Sequence, residues 1–211
     1  MIYVVSGQDT ARYTALMEQV YKLRYRVSAE ELGWGDPASV QGLERDQDER
    51  PDAVHHICVR DGTVAGYQCL LPTVGPQVQA GDFPGEGQEP LPRGLDTYQL
   101  TRYCVAPACS ERSCSTCGAA SELIAGFVEW GLACRVDKII VAFKTYWLRR
   151  ALQLKFKVRP LCAGNKSGNH LPALLEFNPA TLQAIRDYRG HANPVVSFLG
   201  EHEAKRPLMT V

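Results

Sequence analysis

Two apolar segments on either side of Asp61–Gly62 constrain the fold more than any other feature of the chain. The segment AVHHICVR (53–60) precedes this dipeptide and VAGYQCLLPT (64–73) follows it. Both segments are rich in residues that favour strands, and Asp-Gly suits a two-residue hairpin turn because both of its residues tolerate positive φ. The sequence therefore predicts an antiparallel β-hairpin in the first half of the chain.

Strand and helix patterns alternate around this hairpin. The apolar run IYVVS predicts a first strand, and apolar side chains at helical spacing predict a helix over 10–27 with Thr10 as its N-cap. The later patterns read strand, helix, strand, helix, strand, strand, helix over 98–107, 120–134, 138–143, 146–154, 157–162, 172–177 and 178–188. Because a hairpin joins some strands and helical crossovers join others, we expect an α/β fold, an α-β-α sandwich with a mixed sheet covered on both faces.

Two polar segments interrupt these patterns. Residues 28–52 contain several glycines and a proline and predict a long functional loop that covers a substrate. Residues 75–94 are rich in glycine and proline and predict a flexible connection. A chain of 211 residues fits one domain of ordinary size, so we expect a single domain over 1–211.

The overall charge excludes one class of partner. Lys and Arg together number 23 and so do Asp and Glu, so there is no overall basic field of the kind that nucleic-acid-binding proteins use. The N-terminal segment MIYVVSGQDTARY has no charged leader and only a short apolar run, so we expect a cytoplasmic protein without a signal peptide or membrane span. In that compartment the eight cysteines are expected to be reduced.

The charges are balanced in number but not in position. Acidic residues dominate 30–52, whereas 138–159 carries Lys and Arg with no acid. Two readings stay open: both segments are ordinary solvated faces, or they form the ends of a site that binds a cation at one end and a polyanion at the other.

Four cysteines cluster in RYCVAPACSERSCSTCGAA (102–120) at positions 104, 109, 114 and 117. The spacing of the last three matches a plant-type iron–sulfur loop, and three clustered cysteines also suit zinc. The segment runs directly into a well-patterned helix, however, and the chain has no obvious second cluster to supply a fourth ligand. Incidental, half-buried thiols beside a helix start are therefore the favoured reading, and no metal site is expected.

A helix N-terminus of this kind offers free N–H groups to phosphate, and Arg112 and Ser113 stand just before it.

The two adjacent histidines, His55 and His56, lie in a predicted strand and so point to opposite faces, which is poor geometry for one metal.

Four segments together resemble the acyl-homoserine lactone synthase family in order and spacing: YKLRYRVSAEELGW (21–34), LERDQD (43–48), GYQCLLPT (66–73) and YQLTRYCVAP (98–107). The resemblance covers nearly the whole chain. It implies a fold similar to that of the N-acetyltransferases, with a splayed sheet forming a cleft for the acyl chain. The details of YRV and TRYCVAP are more similar to members that use coenzyme A thioesters.

What the family implies is an enzyme that makes a quorum-sensing autoinducer. It transfers an acyl group from acyl-CoA or acyl carrier protein to the α-amine of S-adenosylmethionine, and lactonisation then releases methylthioadenosine. S-adenosylmethionine and the acyl thioester are both substrates, and no permanently bound cofactor is expected. The basic 138–159 segment is expected to dock an acidic carrier protein or the phosphates of coenzyme A, with a solvated face as the alternative.

The resemblance also assigns site residues by position. S-adenosylmethionine is a sulfonium cation with a carboxylate and an amine, so carboxylates, an aromatic face and an arginine suit its pocket. The S-adenosylmethionine-binding positions are Arg24, Ser28, Trp34, Asp46, Asp48, Cys69 and Arg102. The catalytic positions are Gln99 and Arg102. The acyl- or carrier-binding positions are Tyr103, Cys104, Val105, Arg112, Ser113, Phe143 and Trp147.

Each assignment has a structural alternative. Arg24 and Arg102 could be ion-paired surface residues, Trp34 a loop anchor, and Phe143 and Trp147 ordinary core. The joint pattern, more than any single residue, favours the functional reading.

The chain departs from the family at several of these positions. Ser28 replaces an aromatic residue, Cys69 replaces an arginine and Gln99 replaces a glutamate, while ERDQD is one residue shorter than the family's acidic motif, so the counterpart at Asp48 is uncertain. Arg to Cys removes a fixed cation, and Glu to Gln removes a charge and a proton acceptor. Three hypotheses follow: a synthase, a divergent homologue that keeps the fold but has lost turnover or acts on another amine, and a thiol or metal sensor.

Overall fold

The computed structural model describes residues 1–31, 42–44, 49–74, 91–109, 118–161, 170–190 and 192–200. These residues form two compact units. Unit 1 comprises 1–70, 101–127 and 194–211, and unit 2 comprises 71–100 and 128–193. No helix in the described ranges combines the length and the apolar character needed to span a membrane.

The regular elements alternate between strand and helix along the chain. In chain order they are β1 (Ile2–Ser6), α1 (Thr14–Tyr25), β2 (Val54–Arg60), β3 (Thr63–Pro72), β4 (Thr97–Val105), α2 (Ala119–Cys134), β5 (Lys138–Lys144), α3 (Trp147–Gln153), β6 (Lys157–Pro160), β7 (His170–Glu176), α4 (Pro179–Arg189) and β8 (Val196–Phe198).

Unit 1 contains the predicted hairpin. Strand β2 pairs antiparallel with β3, and the turn residues Asp61 and Gly62 have φ values of 49° and 75°. Positive φ at both positions is what a type I′ turn requires, so the prediction is confirmed together with its physical reason. On its other edge β2 pairs antiparallel with β1, which in turn pairs parallel with β8.

The two faces of the hairpin contact different helices of unit 1. On one face, the Arg24 guanidinium of α1 lies over the ring of Tyr67. On the other face, the Gln68 side chain donates to the carbonyl oxygen of Leu123 in α2. Close packing on this second face depends on Gly66, because a Cβ there would lie 3.0 Å from the Leu123 Cδ1 atom.

Unit 2 has the strand order β4-β5-β7-β6. Strand β4 pairs parallel with β5, and β5 and β6 each pair antiparallel with β7. Helix α4 starts where the sequence predicts, because the Asn178 side chain accepts from the backbone N–H groups of Ala180 and Thr181 and Thr181 completes a capping box. The strands are therefore both parallel and antiparallel, and the predicted mixed sheet with flanking helices is confirmed.

The structure corrects several predicted boundaries. Thr10 does not cap a helix: its hydroxyl donates to the Gly7 carbonyl in a 3-10 turn, and α1 starts at Thr14. The predicted loop 28–52 begins too early, because π-helical backbone continues to Glu31. Strand β6 ends at Pro160, and β8 was not predicted. The single domain stays a prediction, and 32–41, 45–48 and 75–90 of the two predicted loops lie outside the described residues.

Candidate active site

The centre of the candidate site is a buried arginine on helix α1. Arg24 lies on the face that also carries Met17, Val20 and Tyr21, and only 4% of its side chain is exposed. Its Nη2 atom donates to the Glu44 Oε1 atom at 3.2 Å. Arg24 is therefore ion-paired, as the structural alternative expects, but it is buried and does not lie at the surface.

A second carboxylate and a hydroxyl complete the surroundings of Arg24. The Ser28 hydroxyl donates to the other carboxylate oxygen of Glu44. The Arg24 Nη1 atom lies 3.9 Å from the Glu49 Oε1 atom, and the Tyr21 hydroxyl donates to Glu49 Oε2 at 3.1 Å. The segment 42–44 is also joined to α1 by its backbone, because Glu44 N–H donates to the Tyr21 carbonyl at 3.2 Å. The structure thus brings Arg24 and Ser28 together as predicted.

Glu44 and Glu49 were not among the predicted site residues. Glu44 is the first acid of ERDQD, so its place in the acidic motif was the signal that could have found it. Trp34, Asp46 and Asp48 lie outside the described residues, and their predicted roles stay predictions.

Tyr67 provides an aromatic surface below the arginine. The Arg24 Cζ atom lies 6.0 Å from the centroid of the Tyr67 ring, within the range of a cation–π interaction. The Tyr67 hydroxyl and the His55 Nδ1 atom are 2.8 Å apart, and the two rings stack with 22° between their planes. Both side chains are 1% exposed. The sequence motifs do not indicate this pair, because the pairing of β2 with β3 creates it.

Burial keeps the Tyr67 hydroxyl and the Cys104 thiol protonated. The pKa of Tyr67 lies well above its usual value, chiefly because the ring is buried and further because of Cys69. Burial also raises the pKa of the Cys104 thiol to about 12, although the nearby Arg24 opposes the shift. At neutral pH both groups keep their protons, so neither can act as a base. The carboxylates of Glu44 and Glu49 lie within ion-pair distance of Arg24.

Cys69 occupies the position where the family resemblance leads us to expect an arginine. It is 1% exposed and pairs with His55 across the β2–β3 register. Its side chain is also a hydrogen-bond partner of Tyr67. We call His55, Tyr67 and Cys69 the His55–Tyr67–Cys69 cluster. A buried thiol thus stands at this position, and its partner Tyr67 lies against the Arg24 guanidinium.

The segment of β4 in unit 1 carries four predicted site residues. Arg102 and Tyr103 are exposed, Cys104 is buried and Val105 is half-buried. Arg102 has φ of 52°, a left-handed conformation that a residue with a Cβ adopts at a cost of about 1–2 kcal/mol. Left-handed backbone interrupts the alternation of a strand, which explains why two successive side chains face solvent.

Gln99, the other predicted catalytic residue, lies in unit 2. It is 3% exposed and stands on β4 opposite Ile140 of β5. The start of β4 is held by Thr73, whose hydroxyl donates to the Thr97 carbonyl at 2.9 Å and accepts from Gly94 N–H at 3.1 Å. Thr73 was not assigned a site role, and its place at the end of LLPT was the available signal.

The predicted acyl-binding aromatics of unit 2 are partly accessible. Phe143 and Trp147 are both half-buried, which ordinary core side chains are not. The Arg150 Cζ atom lies 5.9 Å from the Trp147 ring centroid and 3.8 Å from that of Tyr188. These contacts place one cation against two aromatic side chains in unit 2.

The basic segment 138–159 is partly neutralised. Lys138 forms ion pairs with Asp96 and Asp137, and Lys157 lies 3.1 Å from Glu176. Its remaining exposed cations are Lys144, Arg149, Lys155 and Arg159.

Only part of the cysteine cluster lies within the described residues. Cys104 is buried and Cys109 half-buried, whereas Arg112, Ser113, Cys114 and Cys117 lie outside the described residues. Within the described ranges no group of three His, Cys, Asp or Glu side chains is arranged to hold a metal ion. His55 contacts Tyr67 and His56 contacts Gln68, on opposite faces of the hairpin as predicted.

Known proteins resemble this chain over most of its length. Residues 8–155 match the family model described as Autoinducer synthase. An isovaleryl-homoserine lactone synthase from Bradyrhizobium diazoefficiens is 27% identical over 90% of this chain and 80% of its own. An acyl-homoserine-lactone synthase from Agrobacterium fabrum is 31% identical over 67% of this chain and 68% of its own.

A solved structure shares the fold. It is that of BjaI, a CoA-dependent acyl-homoserine lactone synthase determined with S-adenosylmethionine and isopentyl-CoA, and it superposes with a TM-score of 0.81 at 24% identity, covering 95% of this chain and 93% of its own. Together with the match of the family model, which spans more than half of the sequence and includes Arg24, Glu44, Cys69 and Gln99, these relatives show that this chain belongs to the autoinducer synthase family.

Proposed function

We propose that this acyltransferase joins the acyl group of a thioester to the α-amine of S-adenosylmethionine and makes an acyl-homoserine lactone. The amine nitrogen attacks the thioester carbonyl, an amide bond forms and the carbon–sulfur bond of the thioester breaks, releasing a thiol. The methionine carboxylate then attacks the γ-carbon of the methionine side chain, and the bond between that carbon and the sulfonium sulfur breaks. That step closes the lactone and expels methylthioadenosine.

The observation that carries the proposal is the buried contact of Arg24 with Glu44. It joins helix α1 to the acidic segment, so two of the four sequence segments that resemble the family meet in one place. A cationic ligand with an amine and a carboxylate suits a site with two carboxylates, one arginine and an aromatic ring. We propose that Trp34, Asp46 and Asp48 extend this site over the ligand.

The departures at Cys69 and Gln99 bear on the proton that the amine must lose before it attacks. Gln99 cannot accept a proton, and the raised pKa values of Tyr67 and Cys104 keep both protonated at neutral pH. Glu44 is engaged by Arg24 and Ser28. We therefore propose that the proton leaves through water.

We propose an acyl-CoA as the donor. The Bradyrhizobium relative is named for a branched acyl group, and the similar solved structure is described as CoA-dependent. The exposed cations Lys144, Arg149, Lys155 and Arg159 fit the phosphates of coenzyme A, and Arg112 and Ser113 are proposed to contact phosphate at the start of α2. Docking of an acidic carrier protein on the same cations is the competing proposal.

The experiment presents the purified protein with S-adenosylmethionine and matched panels of acyl-CoA and acyl carrier protein thioesters. Methylthioadenosine is followed by liquid chromatography, the free thiol by a colorimetric reagent and the lactone by mass spectrometry. We expect release of all three products with at least one acyl-CoA. If none of them forms across both panels, the synthase proposal fails and the divergent homologue without turnover is favoured; activity with carrier protein alone overturns the donor proposal.

A further inference from the structure

We propose that His55 is a positioning residue of the S-adenosylmethionine site and acts on Arg24 through Tyr67. The inference rests on the proposed function, because it takes S-adenosylmethionine as the ligand of the Arg24–Glu44 site. It adds a residue for which neither the sequence motifs nor the family resemblance supplies a role.

The first step is the bond between His55 and Tyr67. Because the pKa of Tyr67 is raised, its hydroxyl keeps its hydrogen at neutral pH and can donate it to the His55 Nδ1 atom 2.8 Å away. Both groups are shielded from water, so no solvent molecule competes for this bond. The bond and the ring stacking together hold the plane of the Tyr67 ring in one orientation.

The second step leads from the Tyr67 ring to the charged groups. The ring lies below the Arg24 guanidinium, and Arg24 bonds the Glu44 carboxylate, which Ser28 also contacts. A tilt of the ring moves the surface on which the guanidinium rests. Because the guanidinium donors have a fixed fork geometry, a small displacement weakens the bond to Glu44 and shifts the acidic segment.

The Tyr67 hydroxyl also has a weaker partner. Cys69 is its other hydrogen-bond partner and stands opposite His55 in the strand register. A thiol is a weak partner, so it cannot replace an imidazole nitrogen. The orientation of Tyr67 therefore depends mainly on His55.

The test compares two adjacent buried histidines. In His55→Leu the bond to Tyr67 is lost, Tyr67→Phe removes the same bond from the other side while keeping the ring, and His55→Asn keeps a hydrogen-bonding group near the Nδ1 position. The control is His56→Leu, because His56 is 0% exposed and bonds Gln68 on the opposite face. Calorimetry measures the dissociation constant of S-adenosylmethionine, and steady-state kinetics separate kcat from the KM of each substrate.

We expect His55→Leu and Tyr67→Phe each to weaken S-adenosylmethionine binding roughly five- to ten-fold, the usual effect of losing one buried hydrogen bond. The double variant is expected to match the single ones, because both changes remove the same bond. His55→Asn is expected to recover most of the affinity, and the KM for acyl-CoA is expected not to change. His56→Leu is expected to lower the melting temperature about as much as His55→Leu does, without changing the affinity for S-adenosylmethionine.

Each result decides between the two proposals. If the unchanged protein binds S-adenosylmethionine but makes no product, the proposed function fails, and the affinities of the variants still judge the role of His55. If the unchanged protein turns over and His55→Leu binds S-adenosylmethionine as tightly as it does, the positioning role is overturned. Equal losses of affinity in His55→Leu and His56→Leu also overturn it, because general destabilisation then explains both.

Discussion

Replacement of Arg24 by methionine is the change that tests the buried ion pair most directly. The Arg24 side chain is 4% exposed and that of Glu44 is 13% exposed, so little water can solvate a carboxylate that has lost its partner. Breaking a buried pair by removing one partner costs about 3–5 kcal/mol. Ser28 still contacts Glu44, so we expect the lower end, about 3 kcal/mol, which is roughly a hundred-fold in the unfolding equilibrium.

A matched control lies on the same helix. Lys22 pairs with Glu18 one turn away, and these side chains are 59% and 55% exposed. Exposed pairs of this spacing contribute about 0.3–0.5 kcal/mol. Lys22→Met is therefore expected to lower the free energy of unfolding by at most about one sixth as much as Arg24→Met. Urea unfolding followed by circular dichroism measures both variants.

A second change separates loss of the pair from loss of the arginine side chain. Adding Glu44→Gln to Arg24→Met removes the unpaired charge, so the double variant is expected to be more stable than Arg24→Met alone. The reasoning is refuted if Arg24→Met costs no more than Lys22→Met, or if Glu44→Gln lowers the stability of Arg24→Met further.

Two other features predict measurable effects. Thr73→Val removes a hydroxyl that bonds Thr97 and Gly94, so we expect a loss of about 1 kcal/mol in unfolding free energy and a lower kcat, whereas a neutral result speaks against a role at the start of β4. Burial raises the pKa values of Cys58 and Cys104 from an ordinary 9.0 to about 12, so the native state holds these protons more tightly than the unfolded state. Stability is then expected to fall as pH rises from about 9 towards 12, and native Cys104 is expected to resist alkylation at pH 8 unless urea is added; rapid alkylation without urea contradicts its burial.

The parts of the fold that sequence predicts well have local causes. Asp61–Gly62 specifies its turn through backbone conformation, and Asn178 starts α4 through hydrogen bonds within a few residues. Strand β8 has only Val196–Phe198 and no buried residue, so it leaves almost no pattern to detect. The start of α1 was misplaced because Thr10 reads as an N-cap, whereas it lies in the 3-10 turn Gly7–Tyr13, which has no distinct sequence signal.

The candidate site divides in the same way. Arg24 and Ser28 could be predicted because they stand within a recognisable motif. The bonds that hold them could not be predicted, since Glu44 stands 20 residues after Arg24 in the sequence and Tyr67 meets His55 only through strand pairing. Burial was also invisible: a positive charge in a polar segment reads as a surface residue until an opposing carboxylate is known to cover it.

Cys69 shows how these long-range contacts change the interpretation of a substitution. From sequence, Cys69→Arg together with Gln99→Glu is a reversion towards the family pattern, and turnover should rise if the site is merely weakened. In the structure, position 69 is 1% exposed, belongs to the His55–Tyr67–Cys69 cluster and neighbours a Tyr67 ring that already supports the Arg24 guanidinium. A second guanidinium there is buried near a like charge and displaces a hydrogen-bond partner of Tyr67.

We therefore expect Cys69→Arg to lower both stability and affinity for S-adenosylmethionine, whereas Cys69→Ser, which keeps a small hydrogen-bonding group, is expected to be mild. Gln99→Glu places a carboxylate at a position that is 3% exposed, where desolvation disfavours its charged form. The double variant is accordingly expected to show no gain in kcat, measured by methylthioadenosine release. A gain of ten-fold or more would show that the site still works by the family's charged arrangement, and that the His55–Tyr67–Cys69 cluster is only a weakened form of it.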